Sequence, residues 1–173
     1  MPEGEVHMPV VGKHVEHKNR RFHVHSQIYH GPFSEVYVVS ECGRHYAMKI
    51  EKTVGASRRV LKLDVLVLRQ INKNESSEGF PHIIIAGRTP FYKYAIMQLV
   101  GPDLGRLRRA LPNKRLSLAS ALRISIETLN RLETLHDSGW LCRDVKANNY
   151  AVGRGKNAGT IYMLDFGFAR RYV

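Results

Sequence analysis

The spacing of apolar residues changes once along this chain, and that change limits the possible fold more than any other feature. From Phe22, apolar and polar side chains alternate through Phe22, Val24, Ser26 and Ile28, the period of a strand. A turn at His30-Gly31-Pro32 leads to the β-branched run Glu35–Val39, and Cys42-Gly43 turns the chain into a third strand, Arg44–Ile50. Ser57–Ile71 has helical spacing, with Val60, Leu61, Val67, Leu68 and Ile71 on one face and Asp64 among them. Strands near His82–Ala86 and Phe91–Leu99 follow the polar loop Asn72–Gly79. Gly101-Pro102-Asp103 breaks the pattern, and from there the period is helical. A short basic helix is predicted over Leu104–Leu111. A long one is predicted over Leu118–His136, with Leu118, Leu122, Ile126, Leu129, Leu132 and Leu135 as its apolar stripe. The predicted order is therefore a small β-rich lobe followed by a helical one. Residues 1–20 lack periodicity and read as a flexible basic tail.

The 173 residues suffice for one domain with a core, or for two small lobes. With 43% hydrophobic and 24% charged residues the composition is that of a folded chain. The two cysteines, Cys42 and Cys142, are far apart and form neither a disulfide framework nor a zinc set, which fits a reducing cytoplasmic or nuclear setting. The N-terminus lacks the apolar core of a secretory signal. Aliphatic runs such as Val65–Leu68 are too short to span a bilayer, so no membrane partner is expected. The net charge of +12 favours anionic partners. The basic residues are scattered without interleaved aromatics, which argues against specific nucleic-acid binding. His14-x-x-His17 and His23-x-His25 invite a metal reading, but no Cys or carboxylate cluster completes a set, so solvated histidines are expected. Gly153-Arg154-Gly155-Lys156 lacks the spacing of a phosphate-binding P-loop and reads as a hairpin tip.

Two segments carry chemistry. Cys142-Arg143-Asp144-Val145-Lys146-Ala147-Asn148-Asn149 is followed, 165 − 144 = 21 residues after its Asp, by Asp165-Phe166-Gly167. They resemble the catalytic loop and magnesium motif of protein kinases. Tyr46-Ala47-Met48-Lys49 resembles the strand whose lysine reaches the nucleotide phosphates. Period 2 puts Ala47 and Lys49 on one face. Asp64, an acid on the apolar face of the next helix, needs a cation, and Lys49 is the candidate.

Met97–Leu104, Asn149–Arg154 and Tyr162–Arg170 narrow the resemblance to the casein kinase 1 group, and within it to the tau-tubulin kinase branch. The similarity runs from about Arg21 to the last residue. It implies an α+β fold of two lobes: a five-stranded antiparallel lobe with one helix and a hinge over residues 21–100, then a partial helical lobe over 101–173. It implies ATP with Mg2+, protein Ser/Thr substrates and a monomer. Asp144 would be the catalytic base and Lys146 would stabilise the transferred phosphate. Asn149 and Asp165 would be the metal ligands. Nucleotide contacts would come from Ile28, Gly31, Val36, Ala47, Lys49 held by Asp64, the gatekeeper Met97, the hinge Gln98, Leu99 and Val100, and from Ala151 and Leu164.

Four departures accompany the resemblance. In the loop Ile28–Val36 only Gly31 remains of the family's three glycines, with Tyr29 and Ser34 at the other positions. Asp64 stands where the family has Glu. Cys142 replaces a histidine that mainly packs. The chain ends at Val173, so the rest of the activation segment is expected beyond it, with a further helix covering part of the Leu118–His136 stripe. These departures motivate a second reading, a pseudokinase or interaction module. Arg106, Arg108 and Arg109 read as a solvated face, or as an attractor of acidic or pre-phosphorylated substrate.

Overall fold

The computed structural model describes residues 8–32, 34–53, 60–73 and 77–172. The chain divides into two compact units, Met1–Leu61 with Ile83–Leu99, and Lys62–His82 with Val100–Val173. The expected helix start at Ser57 lies outside the described residues.

The first unit is an antiparallel sheet of β1 (His14–His17), β2 (Arg20–His30), β3 (Glu35–Glu41), β4 (Arg44–Lys52), β5 (Ile83–Arg88) and β6 (Tyr92–Gln98). Its strand order is β1-β2-β3-β4-β6-β5. The alternation read from the sequence sets its faces: Phe22, Val24, Val39, Met48 and Ile96 are wholly buried in one core cluster. Each such side chain contributes about 1.5–3 kcal/mol by leaving water.

The sequence predicts five strands and a tail through residue 20. The sheet has six because His14–His17 pairs with Arg20–His23. Four residues are too few for a visible period, and a single apolar side chain, Val15 at 7% exposure, fastens the strand into the core. On the inner side His17 Nδ1 meets the Tyr94 hydroxyl at 2.7 Å.

The outer side of this edge carries a row of imidazoles. His14 lies 5.0 Å from His23, His23 lies 4.7 Å from His25, and His25 lies 5.0 Å from His45, ring centre to ring centre. His25 Nε2 also meets Ser40 Oγ at 2.7 Å. Loss of hydration, followed by repulsion from His23 and His45, lowers the His25 pKa below its ordinary value. A histidine that titrates lower when folded favours the neutral native state. Its stabilisation is complete above the unfolded pKa, near 6.5, and is lost as the pH falls through the folded value. The melting temperature is expected to drop between pH 7.5 and 5.5, and His25→Gln is expected to flatten that dependence; parallel profiles for the two proteins would refute it.

The second unit contains α1 (Leu61–Ile71), whose first residue belongs to the first unit, α2 (Leu104–Ala110) and α3 (Leu118–Asp137). The short strands β7 (Trp140–Leu141) and β10 (Arg170–Arg171) form one pair, and β8 (Tyr150–Val152) and β9 (Ile161–Met163) form another. Gly153–Lys156 lies in the β8–β9 connection, as expected for a hairpin tip. Asp103 caps α2 by accepting the Arg106 N–H at 2.8 Å, and Ser117 caps α3 by accepting from Ser120 N at 3.2 Å.

The expected apolar face of α1 is buried throughout, with Asp64 at 2% exposure. That of α3 is not. Leu118, Leu122, Ile126 and Leu129 are 57–76% exposed, and only Leu135 of the stripe is fully buried. The helix instead lies against β7 and β9, and Arg131 near its C-terminal end donates to the Glu78 carbonyl at 2.7 Å. Gly79 is needed at that contact. Its φ is +77°, and the Arg131 side chain fills the space a Cβ would take.

Candidate active site

The first unit sets out one group of the expected residues. Lys49 stands opposite Val36 on β3 and Ala95 on β6, and Ala47 stands opposite Val38 and Met97. Facing residues of antiparallel strands share a side of the sheet, so Val36, Ala47, Lys49 and Met97 lie on one face. Lys49, Ala47 and Met97 are all buried. Gln98 ends β6, and Gln98, Leu99 and Val100 are half-buried. A small side chain beside a buried ammonium can take a flat ring and an anionic group attached to it.

The β2–β3 turn closes on itself, with the Gly31 N–H donating to the Ser34 carbonyl at 3.0 Å. Tyr29, opposite Val36, folds its ring over Gly31 and occupies the place of a Cβ there. Ile28 is exposed. Phe33 lies outside the described residues.

The second unit brings Asp144, Lys146 and Asn149 together. Lys146 Nζ donates to Asp144 Oδ2 at 2.7 Å, and Asn149 Nδ2 donates to the same oxygen at 3.0 Å and to the Asp144 carbonyl at 2.8 Å. A 3-10 turn over Ala147–Asn149 makes this possible by bending the chain back before β8. Asn148 Nδ2 reaches Asp103 Oδ1 at 3.2 Å, and Asp103 bridges to Ala151, which anchors the loop to the start of α2.

The second motif adjoins this group through the β8–β9 pair. The Leu164 N–H donates to the Asn149 carbonyl at 2.8 Å, so Asp165 follows directly beside Asn149. Asp165 has φ +60° and Arg143 has φ +62°. Non-glycine residues in that region store strain, which collects at functional sites. Gly167 N donates to Asp165 Oδ1 at 3.4 Å, and Arg143 Nε donates to the Phe168 carbonyl at 2.8 Å. Phe166 is fully buried, with its ring centre 5.9 Å from that of Phe80.

Asp64 Oδ1 accepts the Phe166 N–H at 2.9 Å. The sequence points to Lys49 as the cation for this acid. Lys49 falls in the other unit, and within Asp64's own unit one bond comes from a backbone amide, a donor that the sequence does not signal. The Arg143–Phe168 and Asp103–Asn148 contacts had no sequence signal, since bonds between segments distant in the chain follow no period.

The donor set suits a hard cation shared with phosphate oxygens. The Asn149 amide turns its nitrogen to Asp144, which presents its carbonyl oxygen as the ligand end, and Asp165 adds a carboxylate. Among the described residues no cluster of three or more His, Cys, Asp or Glu side chains could hold a metal ion. Oxygens from a nucleotide would therefore have to complete the shell. Cys142 is buried, and burial raises its thiol pKa, so it stays a neutral packing group. Arg106, Arg108 and Arg109 on α2 are exposed. No helix among the described residues is long and apolar enough to cross a membrane.

No protein-family model matches the chain. Similarity to curated proteins covers most of it. The chain is 54% identical over 170 residues to the serine/threonine-protein kinase spe-6 of Caenorhabditis elegans, covering 96% of this chain and 44% of that protein. It is 35% identical to a provisionally named serine/threonine-protein kinase of Dictyostelium discoideum, over 88% of the chain and 31% of that protein. A provisionally named casein kinase I of Caenorhabditis elegans is 30% identical, over 88% of the chain and 45% of that protein. The chain thus spans less than half the length of each of these relatives.

Proposed function

We propose that this chain, a serine/threonine protein kinase by its resemblance to those relatives, binds Mg-ATP and holds the catalytic residues for phosphoryl transfer to Ser or Thr hydroxyls of proteins. The observation that carries the reading is the single group formed by Asp144, Lys146 and Asn149, with Asp165 beside it. Asp144 accepts the substrate hydroxyl proton on its carboxylate. Lys146, already 2.7 Å from that carboxylate, neutralises charge on the group in transit. Asn149 and Asp165 hold magnesium, which supplies charge neutralisation at the phosphates when bound. Lys49 clamps the phosphates and is held by Asp64. Ala47, Val36, Ile28, Met97, Ala151 and Leu164 cover the adenine, and the backbone of Gln98–Val100 orients it.

Within the kinases we place the chain in the casein kinase 1 group, near the tau-tubulin kinase branch, on the residues Met97–Leu104 and Tyr162–Arg170. The exposed Arg106, Arg108 and Arg109 favour acidic or pre-phosphorylated protein substrates. A monomer in the cytoplasm or nucleus agrees with the two free cysteines.

The test is thermal. A ligand that binds only the native state at one hundred times its Kd adds about 2.7 kcal/mol of stability, so Mg-ATP is expected to raise Tm by several degrees. Lys49→Met is expected to lose that shift, read for each protein as the difference in Tm with and without nucleotide. The Tyr29 ring over Gly31 favours a second reading, a pseudokinase or interaction module with a closed loop. No Tm shift at millimolar Mg-ATP would select it.

A further inference from the structure

The β2–β3 loop has lost two glycines, and beneath it lies a carboxylate that the proposed chemistry does not use. Glu35 is 6% exposed. Its register partners are His30 on β2 and Ile50 on β4, which puts it on the opposite side of the sheet from Val36 and Lys49. Oε2 accepts from Tyr37 Oη at 2.6 Å and from Gln27 Nε2 at 3.0 Å. Oε1 faces Lys52 Nζ at 3.3 Å and His30 Nδ1 at 3.4 Å. Gln27 Nε2 also reaches the Tyr37 hydroxyl at 3.1 Å.

Both oxygens are thus engaged, from three neighbouring strands, at the point where the β2–β3 hairpin opens into its loop. A buried carboxylate is tolerated only with such partners, and removing one partner leaves the others unsatisfied. Burial, followed by the bond to Glu35, raises the Tyr37 pKa, so its hydroxyl remains a donor at any physiological pH. At the same end of the hairpin, the Gly31–Ser34 hydrogen bond and the Tyr29 ring close the turn.

We propose that Glu35 is a positioning residue that braces the β2–β3 loop in one shape to receive the nucleotide phosphates. The inference rests on the nucleotide-binding reading above. Glycines let a loop move onto its ligand, and the ordering entropy falls due on binding. A loop already fixed by a buried carboxylate avoids that loss, so substitution of two glycines need not weaken binding.

Phosphates and adenine separate this role from general stability. Glu35→Gln keeps the size of the side chain but turns a donor toward Lys52, His30, Tyr37 or Gln27. The variant is expected to bind Mg-ATP about tenfold more weakly, roughly one hydrogen bond's worth, with unchanged affinity for adenosine. Amide hydrogen exchange over residues 28–36 is expected to accelerate alongside. Tyr37→Phe, which keeps the core ring, is expected to shift both readouts the same way by less, and it serves if Glu35→Gln does not fold. Equal weakening for ATP and adenosine, or none for either, overturns the positioning role. If the unaltered protein binds neither nucleotide nor nucleoside, the nucleotide reading itself fails and this inference falls with it.

Discussion

Asp165→Asn is expected to reduce Mg2+-dependent phosphate transfer by the whole catalytic domain about 1000-fold, the several kcal/mol that a correctly held metal contributes. The substitution keeps the shape of the side chain and its ability to accept from Gly167 N–H at 3.4 Å, so the fold is expected to be retained. Only the charge goes, and with it the one anionic metal ligand in the proposed pair, since Asn149 is neutral. Nucleotide binding follows the same logic. The part of ATP affinity that depends on magnesium is expected to vanish, while affinity in chelator remains. Initial rates at saturating ATP and a magnesium titration of binding check both statements. Full activity in Asp165→Asn would remove the metal role from this residue, and with it the proposed use of the Asp144–Lys146–Asn149 group.

Phe166→Ala is expected to destabilise the protein by about 3–5 kcal/mol, a large share of the total for an ordinary domain. Phe166 is fully buried, its ring packs near that of Phe80, and its amide is the donor to the buried Asp64 carboxylate. Loss of the ring opens a cavity and loosens the backbone that makes this bond. The contrast is on α3. Leu129 is 64% exposed, so in the 173-residue chain Leu129→Ala is expected to change stability by less than about 0.5 kcal/mol, although both residues are large and apolar. Urea unfolding followed by fluorescence and circular dichroism measures the two together. A small effect at Phe166, or a large one at Leu129, would contradict the packing described for this unit.

These residues show how far a sequence can be read. Phe22, Val24, Val39, Met48 and Ile96 alternate along strands, and the alternation alone assigned them to a buried face. Ala47 and Lys49 came onto one face by the same rule, and the register with Val36 and Met97 bears it out. The Asp144, Asn149 and Asp165 spacing was legible because the residue types and intervals are those of a known motif. Helical periodicity also found α3 and its apolar stripe, but a period names no neighbour, and in the described residues that face is mostly left uncovered. β1 was missed, since a four-residue strand held by one buried valine carries almost no pattern.

The sequence by itself determined most of the elements, their order and the motif spacing on which the proposed phosphate chemistry rests, because periodicity and motif spacing are local properties of a chain. Tertiary structure alone decided other contacts: the Phe166 amide as a donor to Asp64, four side chains around Glu35, and Tyr29 across Gly31. Such contacts join residues distant in sequence or depend on the path of one turn. Hydrogen bonds are satisfied by whatever group arrives within about 3 Å, and only the folded chain fixes which group that is.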